Sequence, residues 1–311
     1  MTQHERSNGN ATHVDERPVA YVSVDVDPVD VHLVGYGIRR PPCDKVYEAA
    51  MPRILEMLGR VGIRATFFVI ARDAGRSVWR EAAALGHEIA SHSMTHPLPF
   101  AGLPASAMHQ ELLESRRRLE DAVGVPVVGF RAPGWDVDAA AIEAIAATGY
   151  RYDASLMPSP AYLAGSVLRW ALSRAAGPTT AVMPAVLRAF ARRTPHKIGR
   201  ERALCEFPVA VSPLLRLPFT HTLWYLVPAA VCRSTYRTIQ RRRETLSYQF
   251  HAVDLLAVAE DGLDERIGRH PGMRWPLARK VDLLESMLRD IAGRYRVRTF
   301  SETLDGMGSH R

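Results

Sequence analysis

Residues 63–70, Ile-Arg-Ala-Thr-Phe-Phe-Val-Ile, form an almost continuous apolar run, and no other stretch limits the fold as strongly. A strand with apolar side chains on both alternating faces is covered on both sides, which is the situation of a strand inside a parallel sheet. The sequence around it supplies the covering elements. Residues 47–60 place Met51, Ile54, Leu55 and Leu58 at helical spacing and stop at Gly62. Residues 77–85 read as a helix capped by Gly86, 104–123 as a long helix with a charged face, and 138–148 as an alanine-rich helix ending at Gly149. Strand-like runs at 19–27, up to Ala90, at 125–133 and at 150–154 alternate with these helices, whereas 28–42, with Gly35, Gly37, Pro41 and Pro42, is expected to be a loop. Short links between alternating strands and helices predict an α/β chain of parallel β/α units.

Residues with chemistry gather where these strands end. The first run closes on Asp25 and Asp27, whose alternate positions put both carboxylates on one side of the strand. Ser91-His92-Ser93-Met94-Thr95-His96 follows the third run, and if it turned into helix the four-residue offset would stack the two imidazoles on one face. A pair of histidines at that spacing is also a common surface feature. Two imidazoles and a carboxylate, however, make a zinc-type site with open positions. Arg131 ends another strand, and His251 stands near the end of a late strand at 246–253. Taken singly, Arg131 reads as an ordinary ion-pair partner and His251 as a core histidine. Ending a buried strand in two acids is costly without a cation.

Asp-x-Asp, His-x-x-x-His, Arg-x-Pro and the late histidine, in this order, resemble the motif series of the NodB-type polysaccharide deacetylases. The stretches Asp25-Val26-Asp27 and 63–68 look like the branch of lipid-linked aminosugar deformylases and deacetylases. Residues 149–155, with Glu206-Phe207-Pro208 and Phe250-His251, look like the branch found in exopolysaccharide gene clusters. The resemblance implies a distorted (β/α) barrel of seven or eight mainly parallel strands and metal-dependent hydrolysis of the N-acyl group of an amino sugar. On that basis Asp27, His92 and His96 are expected to hold a divalent metal, zinc first and cobalt, nickel or manganese as alternatives. Asp25 is the expected general base, held by Arg131, and His251 the acid for the departing amine, with Asp254 as a partner that orients it. Backbone N–H groups of Gly134 or Trp135 are expected to face the oxyanion, Trp135 being equally a core residue. The family's commonest first motif has adjacent aspartates, whereas Val26 separates them here, so base and ligand could exchange roles. An aromatic residue commonly follows the Arg-x-Pro proline; here Gly134 does. Deformylation, hydrolysis of a linear or cyclic non-sugar amide, and a catalytically silent membrane-binding module are the alternatives.

Charge is unevenly placed. The chain of 311 residues has a net charge of +7, yet residues 155–245 carry 14 Lys and Arg against 3 acids, a balance of +11 that leaves the rest at −4. Residues 1–18 read as a loose tail and 19–311 as one domain, with basic, apolar helical insertions at 158–200 and 213–243. Each insertion suits either a helical layer with a solvated basic face or a patch against an anionic membrane or a polyprenyl-phosphate lipid. Arg241, Arg242 and Arg243 are the candidate membrane or phosphate contacts. No nucleic-acid motif accompanies the charge. Three scattered cysteines and the lack of a long apolar span point to a cytoplasmic protein, with a peripheral place on the inner membrane face as the accompanying expectation.

Overall fold

The computed structural model describes residues 15–38, 43–162, 188–199 and 204–308. Most of the expected tail, most of the first insertion and the Pro41-Pro42 stop lie outside the described residues. β1 (Val19–Val26), β2 (Thr66–Val69), β3 (Glu88–Ser91), β4 (Gly129–Phe130), β5 (Tyr152–Asp153), β6 (His196–Ile198), β7 (Leu204–Glu206) and β8 (Leu246–His251) form one curled sheet in the order β6-β7-β5-β4-β3-β2-β1-β8. A further strand, β9 (Arg296–Val297), pairs with the start of β1. Every neighbouring pair is parallel except β6 with β7. This is the distorted (β/α) barrel.

Helices cover the outside for the reason the periodicity gave. α2 (Met51–Val61) buries Met51, Ile54, Leu55, Met57 and Leu58 and ends at Gly62, whose φ of 73° closes the helix without a Cβ penalty. α3 (Val78–Ala84), α4 (Ala105–Val123) and α5 (Ala139–Ala147) follow close to their expected limits. The expected loop at 28–42 is instead opened by a short helix, α1 (Val29–Gly35). Val29 and Leu33, four residues apart, are both buried, so tertiary burial overrides the β-branched character of the segment.

Inside the sheet the side chains are layered. Tyr21, Phe68, Ala90, Tyr152 and Phe207 pack with Phe300 into an apolar floor. On β1 the inward positions then climb from Tyr21 through Ser23 to Asp25 and Asp27, from aromatic to polar. The Arg131 guanidinium lies 3.9 Å over the Phe68 ring, between the two layers.

The gap between β7 and β8 is crossed by irregular chain. Ala210 N–H donates to Ser247 O and His221 N–H to Gln249 O, while Phe219 N–H donates back to Ala210 O. The second insertion therefore leaves the barrel as a hairpin at 211–218, continues through α6 (Leu223–Leu226) and returns as α7 (Ala229–Arg241). α7 buries Cys232, Thr235, Tyr236 and Ile239 and exposes Arg233, Arg237 and Arg241, a packed layer with a solvated basic face.

Candidate metal and catalytic site

Asp27, His92 and His96 present donor atoms that all lie within 4.8 Å of one another. Asp27 Oδ1 is 3.4 Å from His92 Nε2 and 3.8 Å from His96 Nε2, and it has no hydrogen-bond partner although it is buried. His92 Nδ1 is 2.7 Å from the carbonyl oxygen of Arg131. A carbonyl only accepts, so Nδ1 carries the proton and Nε2 turns a bare lone pair toward the carboxylate. Two lone pairs facing each other in a dry pocket call for a cation between them, and two imidazoles plus a carboxylate fit a zinc-type ion. Burial lowers the pKa of both histidines, that of His96 to about 4, which keeps them in the neutral form a metal needs. Burial likewise raises the Asp27 pKa, with His92 the largest opposing influence.

The histidines do not meet on a helix. His92 directly follows β3, and the chain to His96 is a loop in which Ser93 and His96 have φ of 66° and 62°. A helix would stop the strand from delivering His92 beside Arg131; the loop instead folds back and sets the two rings 5.0 Å apart. Glu111 of α4 holds it, accepting from the backbone N–H groups of Met94 and Thr95 at 2.9 Å each and from the Thr95 hydroxyl at 2.6 Å. Glu111 belongs to the charged face recognised in the sequence, but its role depends on a contact 16 residues away.

Asp25 is differently placed. Arg131 Nη1 donates to its Oδ1 and Gln249 Nε2 to its Oδ2, each at 2.5 Å, and Arg131 also reaches Ser23 Oγ at 3.1 Å and Ala154 O at 2.9 Å. Burial acts to raise the Asp25 pKa, but Arg131 first and then His92 and His251 outweigh it, and the carboxyl titrates below its usual range. Gln249 had no motif to mark it, although it lies two residues before His251 on the same strand and therefore on the same side. His251 Nε2 stands 3.9 Å from Asp25 Oδ2 and 4.0 Å from Asp27 Oδ2. Asp254 accepts from the backbone N–H of His251 at 2.8 Å, so it fixes the main chain there.

The remaining expectations divide. Trp135 lies 6.3 Å from His251 and 5.4 Å from Tyr162, ring to ring, forming one wall of the site. Its backbone N–H is committed to Ala132 O at 3.0 Å, so of the two oxyanion candidates only Gly134 is left. Arg241, Arg242 and Arg243 precede β8, whereas His251 ends it, and Arg243 donates to Glu16 O just ahead of β1. They stand at the opposite end of the barrel, roughly 17–20 Å of strand away from the chemistry, and cannot touch a phosphate on a group bound there. Two histidines not singled out also come near: the His32 ring is 5.7 Å from His251 and 4.5 Å from His270.

Residues 43–152 match the family model described as polysaccharide deacetylase. The peptidoglycan deacetylase of Helicobacter pylori is 30% identical over 150 residues, which cover 45% of this chain and 49% of that protein, so the match spans about half of the relative's length. A solved structure from Mycobacterium smegmatis, of a protein assigned as a polysaccharide deacetylase, has a TM-score of 0.61 at 18% identity over 95% of this chain and 92% of that one. Puue allantoinase has a TM-score of 0.60 at 12% identity over 100% and 99%. Over residues 43–152 the chain is thus similar to polysaccharide deacetylases. The matched segment contains His92, His96 and Arg131; Asp25, Asp27 and His251 lie outside it and join them through β1 and β8. At such identities the solved structures speak for the fold alone.

Proposed function

We propose that the chain is a metal-dependent N-deacetylase acting on an N-acetylated amino sugar, with Asp27, His92 and His96 as the metal ligands. The observation that carries this is the buried, unpartnered Asp27 Oδ1 facing two imidazole nitrogens, with a second carboxylate beside it already satisfied by Arg131 and Gln249. That difference supports Asp27 as ligand and Asp25 as base. A divalent ion in the cradle supplies Lewis acidity toward the acyl carbonyl and the attacking water. Asp25 takes a proton from the water as its oxygen attacks the acyl carbon. Arg131 keeps Asp25 ionised and aimed, and Gly134 N–H is the candidate donor to the developing oxyanion. His251 then gives its proton to the nitrogen as the C–N bond breaks, because an amide nitrogen leaves only as an amine. The products are acetate and a free amino sugar.

At the finer level we propose a substrate carried on a polyprenyl phosphate or a nucleotide, zinc as the metal, and a protein working at a membrane surface; among the described residues no helix is long and apolar enough to cross a bilayer. The test is release of acetate from N-acetylglucosamine oligomers by the zinc-loaded chain. Asp25→Asn is expected to lower the rate by about 10²–10⁴-fold with one metal per chain retained. Release of formate from N-formyl substrates in preference to acetate would favour the deformylase reading. A chain that takes up zinc yet hydrolyses no amide would remove the proposal.

A further inference from the structure

The hairpin that bridges β7 and β8 ends in an apolar tip. Val211 and Pro218 pair across it, Ser212 N–H donates to Leu217 O at 2.9 Å, and the turn leaves Leu214 83% and Leu215 72% exposed. Beside them Phe190 is 62% exposed, with the Arg216 guanidinium 5.7 Å over its ring. Arg216 also donates to Ala191 O at 2.8 Å and to Pro158 O at 3.4 Å, which clamps the tip to the chain leaving β5. Two leucines held outward on a braced turn, with Phe190 beside them, form a built surface rather than a frayed loop.

The base of the hairpin packs beside the site. Val209 and Val211, on the strand leading to the hairpin, pack with Met157, Trp135 and Tyr162, and Trp135 is the wall next to His251. A buried apolar seam of Met157, Val209 and Val211 thus joins the wall beside His251 to the base of the hairpin. Among the described residues that meet at the tip, 188–199 and 207–218 contain no acidic residue; Arg192 is exposed and Arg216 half-buried, and Arg193 is paired with Glu244. A second copy docking through the same face would set this positive surface against itself, since a two-fold interface pairs like with like. An anionic lipid surface satisfies both features, taking the leucines among its acyl chains and the arginines at its headgroups.

We propose that the 211–218 hairpin, with Phe190, docks the protein on an anionic bilayer and holds the mouth of the site toward it. Arg241, Arg242 and Arg243, at the other end of the barrel, do not take part. The inference rests on the membrane-surface reading proposed above and is independent of the hydrolytic one, because docking is measured without turnover. The full chain is floated with vesicles of phosphatidylcholine, alone or with about 30% phosphatidylglycerol. It is expected to bind the anionic vesicles, and less as salt is raised to about 0.5 M. Leu214→Ser combined with Leu215→Ser should weaken binding by about tenfold or more, and Phe190→Ser should weaken it separately. All these side chains are exposed, so the circular dichroism and melting curve of the variants should match the parent, which keeps misfolding distinct from lost docking. Absence of vesicle binding, or binding undiminished in the double variant, would overturn the proposal. So would light scattering that shows the leucines holding two copies together.

Discussion

Asp25 and Asp27 are two residues apart on one strand and share one pocket, yet their surroundings divide the work between them. Asp25 meets a guanidinium and an amide; Asp27 meets two lone pairs. Arg131 is therefore more than a restraint. It is fully buried, and replacing it with Met leaves Asp25 with no cation in a dry place, a change worth roughly 3–5 kcal/mol. Arg131→Met should accordingly lower the urea midpoint at neutral pH, and a midpoint equal to the parent's would show that Asp25 is better solvated than its burial implies. His87 gives a second residue-scale test, away from the site. Its Nδ1 accepts the Ala65 N–H at 3.1 Å, and burial, helped by Arg64, pushes its pKa down to about 4. An unfolded histidine titrates near 6.5, so between the two values the unfolded chain binds a proton that the folded chain refuses. The stabilisation is complete above about pH 6.5 and is lost as the pH falls from there through 4, by at most about 3 kcal/mol. His87→Gln, which keeps an acceptor but cannot titrate, should flatten urea stability between those pH values.

At the scale of elements, what was legible in the sequence is what depends on nearby residues. The helices over the sheet follow from 3.6-residue spacing and glycine stops, and the aspartates, Arg131 and His251 from their place at strand ends. The loop carrying His92 and His96 was not legible as a loop, because its shape depends on Glu111 in α4 and on two left-handed residues that no spacing rule signals. The helix α1 was hidden for a similar reason: its valines favour strands, and only packing of Val29 and Leu33 on the core makes it a helix. Strand β4, only Gly129 and Phe130, shows how a short element is set by its neighbour. A Cβ at Gly129 would collide with the phenol ring of Tyr152, which lies across the strand and donates to Glu88 Oε1 at 3.0 Å. Gly129→Ala should therefore cost roughly 1–3 kcal/mol or more, as overpacking does in a fully buried place. Because the clash needs the ring, the cost should shrink in a Tyr152→Ala background; equal costs in both backgrounds, from a double-mutant cycle of urea unfolding, would show that the strand shifts to accommodate the methyl.

For the molecule as a whole, the site ties together parts of the chain that are far apart in sequence. Asp27 comes from the end of β1 and the histidines from the turn after β3, and the same carboxylate-rich end of β1 is gripped by Arg131 after β4 and Gln249 on β8. A cation held there binds only the folded barrel, so it must stabilise the fold by an amount set by its concentration relative to its dissociation constant, about 4 kcal/mol at a thousandfold excess. For a chain of this size each kcal/mol moves the melting temperature by roughly 2 °C, and zinc added to chelator-treated protein should raise it by roughly 8 °C. Asp27→Ala and His92→Ala should abolish the zinc-dependent shift, because each removes a ligand. Asp25→Asn should preserve it, because the Asp25 oxygens already accept from Arg131 and Gln249 and the asparagine leaves the Asp27 cradle in place. If Asp25→Asn loses the shift while Asp27→Asn keeps it, the two carboxylates have exchanged roles, and the buried lone pair on Asp27 then belongs to the proton-transfer step instead of the cation.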